Sequence, residues 1–173
     1  MAAPDDVEEH IHEAKQPFDK VVAGTMAIIA AVLATVSVLA LHFVGEKLLN
    51  QQLSSDEWAY YQAKNIRRYT AQVARDLLAQ TQGAPQLSER YTHDIAKYDK
   101  DMEEIQKAAK EYEKERDLDG RRAEFLHIGE VFLEIAIVLS SLAILTKRKF
   151  WYGTGIVSAA LGVIVAVSAF VRG

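Results

Sequence analysis

Glu130 and Glu134 stand four residues apart inside an almost wholly apolar run, HIGEVFLEIAIVLSSLAIL, from His127 to Leu145. With His127, these are the side chains whose types and spacing could do chemistry. At 100° per residue of helix, His127, Glu130 and Glu134 fall within about 60° of one another, and Ser141 continues the same face. Such a stripe could attract and relay cations or protons, hydrogen-bond across helices, or ligate a metal. A carboxylate at the middle of a bilayer costs roughly 2.5–3.5 kcal/mol on the lenient insertion scale. The stripe is therefore expected to face protein or water, not lipid.

Partners are sought at the same level. His42 and Glu46 close the first apolar stretch, and Arg172 closes the last. Three readings follow. An oligomeric pore could be lined by rings of Glu130 and Glu134 that attract cations. A clamp between helices could use glutamic acids, His42, Ser141 and Arg172 as hydrogen-bonding groups. His42, Glu46, His127 and Glu130 could also bind a metal, since imidazole and carboxylate suit zinc or iron. Two ligands from each of two helices is a weak pattern, and no metal or other cofactor is expected. The run Glu8–Glu13 (EEHIHE) offers similar ligands but reads as part of a flexible acidic tail. With no cysteine there is no thiol nucleophile and no thiolate metal site. No glycine-rich phosphate loop, GxSxG elbow or HExxH motif occurs, so no enzyme is expected.

The elements that position the stripe come from hydropathy. Val21–Val44 and Trp151–Val171 carry no charged residue, and in 128–146 the two glutamates are the only charges. Each is near the roughly 20 residues that a helix needs to cross a bilayer. The chain thus divides into an acidic tail (1–20), a first span (21–44), an extramembrane helical region (45–127), a second span (128–146), a basic loop (147–150) and a third span (151–171). Six acids against two lysines precede the first span, which argues against a cleaved signal peptide. Lys147, Arg148 and Lys149 in the short loop place it in the cytoplasm, with Trp151 and Tyr152 in the interfacial aromatic belt. The N-terminus is then cytoplasmic, and the middle region and C-terminus extracytoplasmic, in a bacterial inner membrane. The net charge of −4 gives no reason to expect nucleic-acid binding.

In the middle region Tyr91, Ile95, Tyr98, Met102, Ile105, Ala109 and Tyr112 follow a seven-residue repeat, the seam of a coiled-coil-like helix. Ile66, Tyr69, Val73 and Leu77 offer a matching stripe upstream. Gly83 and Pro85 break the helix between them, and Ser88 can cap the next. Ser54 and Glu57 have capping-box spacing, so a helix is expected to restart there. Asp119-Gly120 reads as a helix end near the bilayer, with a hinge as the alternative. The region's 16 acids and 14 bases make a solvated mixed surface. Trp58, Tyr60 and Tyr61 offer either internal packing or a surface for a protein partner or lipid headgroups.

The run DEWAYYQAKNIR, Asp56–Arg67, with one span before it and two after, resembles a bacterial membrane family known only as a domain of unknown function. The resemblance covers the chain from about Phe18 onward. It implies the layout of one span, extramembrane helices and two spans. It implies no activity and assigns no residue a role. Small residues recur at helical spacing at Ala23, Ala27, Ala31 and Thr35, and again at Ser158, Gly162 and Ala166. The expected protein is an all-α membrane protein: three transmembrane helices, with a long antiparallel helical hairpin between the first two. Its expected role is that of a non-enzymatic homo-oligomeric scaffold or interaction protein whose partners are membrane lipid, further copies of itself and a protein docked on the hairpin. The alternative is a cation- or proton-conducting channel lined by Glu130 and Glu134.

Overall fold

The computed structural model describes the backbone over residues 4–80 and 85–172, and side chains over 18–80 and 85–171. Three helices account for it: α1 (Pro4–Gln80), α2 (Pro85–Thr146) and α3 (Lys149–Arg172). No strand occurs among the described residues. Each helix contains a stretch long and apolar enough to cross a membrane. That composition fits a membrane protein. The backbone of the acidic N-terminal stretch is helical from Pro4 onward.

Two compact units share these helices. One gathers the chain up to Val44 with the part from Asp119 onward; the other is Gly45–Leu118. In the first unit, Ile29, Val36 and Ala40 of α1 pack with Leu126, Leu133 and Ala136 of α2 and Ala166 and Ala169 of α3. Large apolar side chains turn outward around this core, among them Ile28, Val38, Leu41, Val138 and Ile164, each about two-thirds exposed. An apolar exterior around a core rich in alanine suits lipid as solvent, where small residues allow backbones to approach. The small stripe of the third stretch is used within the chain. Ser158, Gly162 and Ala166 are buried, and Ser158 Oγ donates to the Phe132 carbonyl at 2.8 Å. By contrast Ala23, Ala27, Ala31 and Thr35 of α1 are all exposed.

α2 ends at Thr146, where Lys147 takes a left-handed conformation with φ 55°. That conformation stops the helix and turns the chain directly into α3. Asp19 pairs with Lys147, and the Phe18 and Tyr152 rings meet edge-on at 6.0 Å, so the start of the first apolar stretch is tied to this turn.

In the second unit, the α2 heptad positions Ile95, Met102, Ile105 and Ala109 are buried. The face that α1 offers is not the expected one. Ile66, Tyr69, Val73 and Leu77 are each more than half exposed. The side chains turned inward are Asn50, Ser54, Glu57, Tyr61, Lys64, Arg68, Ala71, Arg75 and Leu78, which step alternately by four and three. This polar stripe packs because long cationic side chains cover apolar surface with their stems and keep their heads at its edge. Lys64 and Arg68 do so, pairing with Asp101 at 2.6 Å and Asp99 at 3.0 Å. Gln51 accepts from Arg116 at 3.0 Å, and Trp58 donates to Glu113 at 2.8 Å.

Three expected boundaries differ. α1 runs unbroken through Ser54, which is buried, so the capping-box spacing marks no new helix. α2 begins at Pro85, ahead of Ser88. Proline suits the first helical turn, where its missing N–H would have no partner within the helix. α2 also continues through Asp119 and Gly120, so no helix ends there. Gly83 lies outside the described residues.

Candidate functional site: the polar stripe of the second apolar stretch

Glu130 is the centre of the site. It lies on α2 with its side chain 21% exposed, and Ser37 of α1 donates its hydroxyl to Oε1. His127, one turn earlier, places Nδ1 at 3.1 Å from Oε2. Both carboxylate oxygens of Glu130 are therefore engaged, one across helices and one along its own. The arrangement joins α1 to α2 through a polar contact in an otherwise apolar interface.

Ser37 is the residue that sequence reasoning missed. It is one of three hydroxyls in an apolar run, and such groups commonly bond the carbonyl one turn back, as Thr25 and Thr35 do. The register of α1 on α2 would have pointed to it. Arg122 lies over the Phe43 ring at 5.5 Å, Ser37 meets Glu130, and Asp19 meets Lys147.

The other stripe residues part company with Glu130. Glu134 and Ser141 are exposed, on the outside of the three-helix packing. Ser141 borders an apolar groove with Met26, Ile137, Val138, Leu142 and Leu145. Its neighbour Ser140 is instead fully buried against Gly155. His127 is about half exposed.

Of the partners sought near one end of the spans, His42 is exposed, with its ring 5.4 Å from that of Phe43. Glu46 belongs to the other unit. The Arg172 side chain lies outside the described residues, as do those of Glu8–Glu13. Among the described residues no three histidine or acidic side chains converge as a metal-holding group.

The aromatic run divides. Trp58 and Tyr61 are half-buried and meet edge-on at 5.5 Å, while Tyr60 is half exposed and lies 5.3 Å from the Lys64 ammonium. Lys64 is held well charged: its bond to Asp101 raises its pKa, and the same bond lowers that of Asp101. Arg68 is raised likewise through Asp99.

Fold and site together define a class: a protein helical throughout its described residues, with three membrane-compatible helices and a Ser37–Glu130–His127 polar contact in the apolar unit. The chain belongs to a family described as Domain of unknown function (DUF4337), whose model matches residues 18–172. No curated protein and no solved structure matches it.

Proposed function

We propose that this is a non-enzymatic, multi-pass inner-membrane protein that assembles with copies of itself as a scaffold. Its three apolar stretches cross the bilayer, with the Lys147–Lys149 loop in the cytoplasm and Gly45–Leu118 outside. The opposed residue order in Lys64–Asp101, Arg68–Asp99 and Gln51–Arg116 supports an antiparallel hairpin there.

The observation that carries the reading is the exposure of Glu134 in the second apolar stretch. In a lone chain that carboxyl would meet lipid, at a cost that contact with another protein surface removes. The channel reading asks more of the same face. Beyond Glu134 it continues through Val138, Ser141 and Leu145, and Val138 and Leu145 are 66% and 80% exposed. Two of those three positions are apolar, which favours a dry helix contact over a continuous water path.

The test combines mass with two substitutions. In mild detergent the assembly should exceed the 19.3 kDa chain at least twofold. Glutamine keeps the shape and hydrogen bonding of a neutral glutamic acid. Glu134→Gln should therefore leave assembly nearly intact, and Glu134→Leu should weaken it by about 1–2 kcal/mol, the upper range for such bonds in membranes. Cation-selective conductance in reconstituted bilayers, lost in Glu134→Gln with assembly unchanged, would instead establish the channel.

A further inference from the structure

In the extramembrane unit α1 turns its polar heptad inward and a largely apolar one outward. On the exposed side of α1, Ala59, Ala63, Ile66, Thr70 and Val73 step by four, three, four and three, and every one is exposed. Ile66 and Val73 are 66% and 59% exposed, and Tyr69 beside them 55%. A seven-residue apolar repeat keeps one face toward a partner helix wound around it with a left-handed supercoil. The chain's own second helix already occupies the opposite side of α1, through Lys64–Asp101 and Arg68–Asp99.

We infer that this face is a self-association seam, on which α1 of a second copy lies parallel and in register. The inference rests on the assembly proposed above and names the surface that performs it outside the bilayer. Three observations favour a second copy as the occupant. First, α1 is one continuous helix from the first apolar stretch to Gln80, so copies inserted with the same topology run their α1 helices in the same direction. Like face can then meet like face around an axis along the membrane normal.

Second, α2 offers no competing surface. Its exposed side in this unit is charged, with Lys100, Glu103, Glu104, Lys107, Lys110 and Glu111. An α1 seam set against that side would bury charges without apolar compensation.

Third, the flanking positions suit a parallel pair. With Ala63 and Thr70 as a and Ile66 and Val73 as d, the g positions are Gln62 and Tyr69, and the e positions are Arg67 and Ala74. In a parallel coil each g faces the e five residues on in the other helix. Gln62 then meets Arg67, and Tyr69 meets Ala74, so no like charges oppose.

The test uses the full chain in its native membrane, where the absence of cysteine gives a clean background. Ile66→Cys and, separately, Val73→Cys should each form a disulfide-linked species of twice the chain mass under mild oxidation. Glu104→Cys, on the charged side of α2, should not. Replacing Ile66 and Val73 together by glutamate should lower assembly by about tenfold or more, as expected when apolar anchors at the centre of an interface are lost. An assembly of multiple mass in which neither Ile66→Cys nor Val73→Cys yields the linked species overturns the seam but leaves the scaffold standing. A single-chain mass in detergent, with no crosslinks in the membrane, overturns both. Linkage of either variant to a different protein, or equal linkage through Glu104→Cys, also overturns the seam.

Discussion

The closest approach of α2 to α3 has a measurable consequence. A Cβ added at Gly129 would lie 2.8 Å from the carbonyl oxygen of Gly162, and one added at Gly162 would lie 2.8 Å from that of Gly129. Ordinary contact begins near 3.4 Å, so each falls short by about 0.6 Å. The obstacle is main chain, which no rotamer change can move, so the helices must part. A gap of about 0.5–1 Å forfeits a quarter to a half of each dispersion contact it opens. Those at risk include Leu133, Ala136 and Ala166, all buried at the interface. Overpacking of this kind costs about 1–3 kcal/mol. Replacing glycine by alanine within a helix returns up to about 1 kcal/mol. The informative comparison is therefore with Gly153→Ala, also in α3, where nothing lies within 4 Å of the added carbon. The helix term is common to both, so the difference isolates the contact. Gly129→Ala should unfold more easily than Gly153→Ala by about 1–3 kcal/mol, measured by circular dichroism during thermal or denaturant unfolding in one detergent. Gly162→Ala should match Gly129→Ala, since the two glycines face one another. Equal stability of Gly129→Ala and Gly153→Ala would falsify the close packing of α2 on α3.

Two further predictions concern the other unit. A cysteine at Gln86, exposed in the first turn of α2, should react with a membrane-impermeant thiol reagent in intact cells; reaction only after lysis would invert the proposed topology. The Lys64–Asp101 pair should give an acid-side signature. Because Asp101 is shifted below its ordinary value by Lys64, its contribution is present above the usual carboxylate range and lost as the pH falls through its folded value. The stability gap between wild type and Asp101→Asn should hold near neutrality and narrow below about pH 4. A gap that persists unchanged in strong acid would show that the pair's ionisation is immaterial to folding. On the alkaline side the sign reverses: the raised Lys64 contributes below the usual lysine range and ceases to do so as the pH climbs through its folded value.

How much was legible in the sequence depended on whether apolar residues mark the inside. For α2 they do: Ile95, Met102, Ile105 and Ala109 form both the apolar repeat and the buried seam. The three apolar stretches were legible for a similar reason, since length and hydropathy alone distinguish them. For α1 the signal reverses. Its inward residues include Glu57, Lys64, Arg68 and Arg75, whose stems pack while their heads stay near the surface, and hydropathy counts them as outside. The apolar stripe of Ile66 and Val73 stands out in the sequence, but it lies on the exposed side. Polar caps misled similarly, because Ser54 and Ser88 have capping chemistry but sit within continuous helices. At the candidate site the pair Glu130 and Glu134 was visible, but their separate fates were not. Four residues on a helix leave about 40° between them, enough for one to reach Ser37 while the other turns outward. Periodicity reports which side chains share a face; register decides what that face meets. The same distinction gives the outward features of α1 and α2 their meaning. Ile66 and Val73 in one unit and Glu134 in the other are exposed, and each would be costly where the proposed topology puts it: the two apolar residues in water, the acid in lipid. The assembly proposed above would relieve both costs, through an apolar seam outside the membrane and a carboxyl within it.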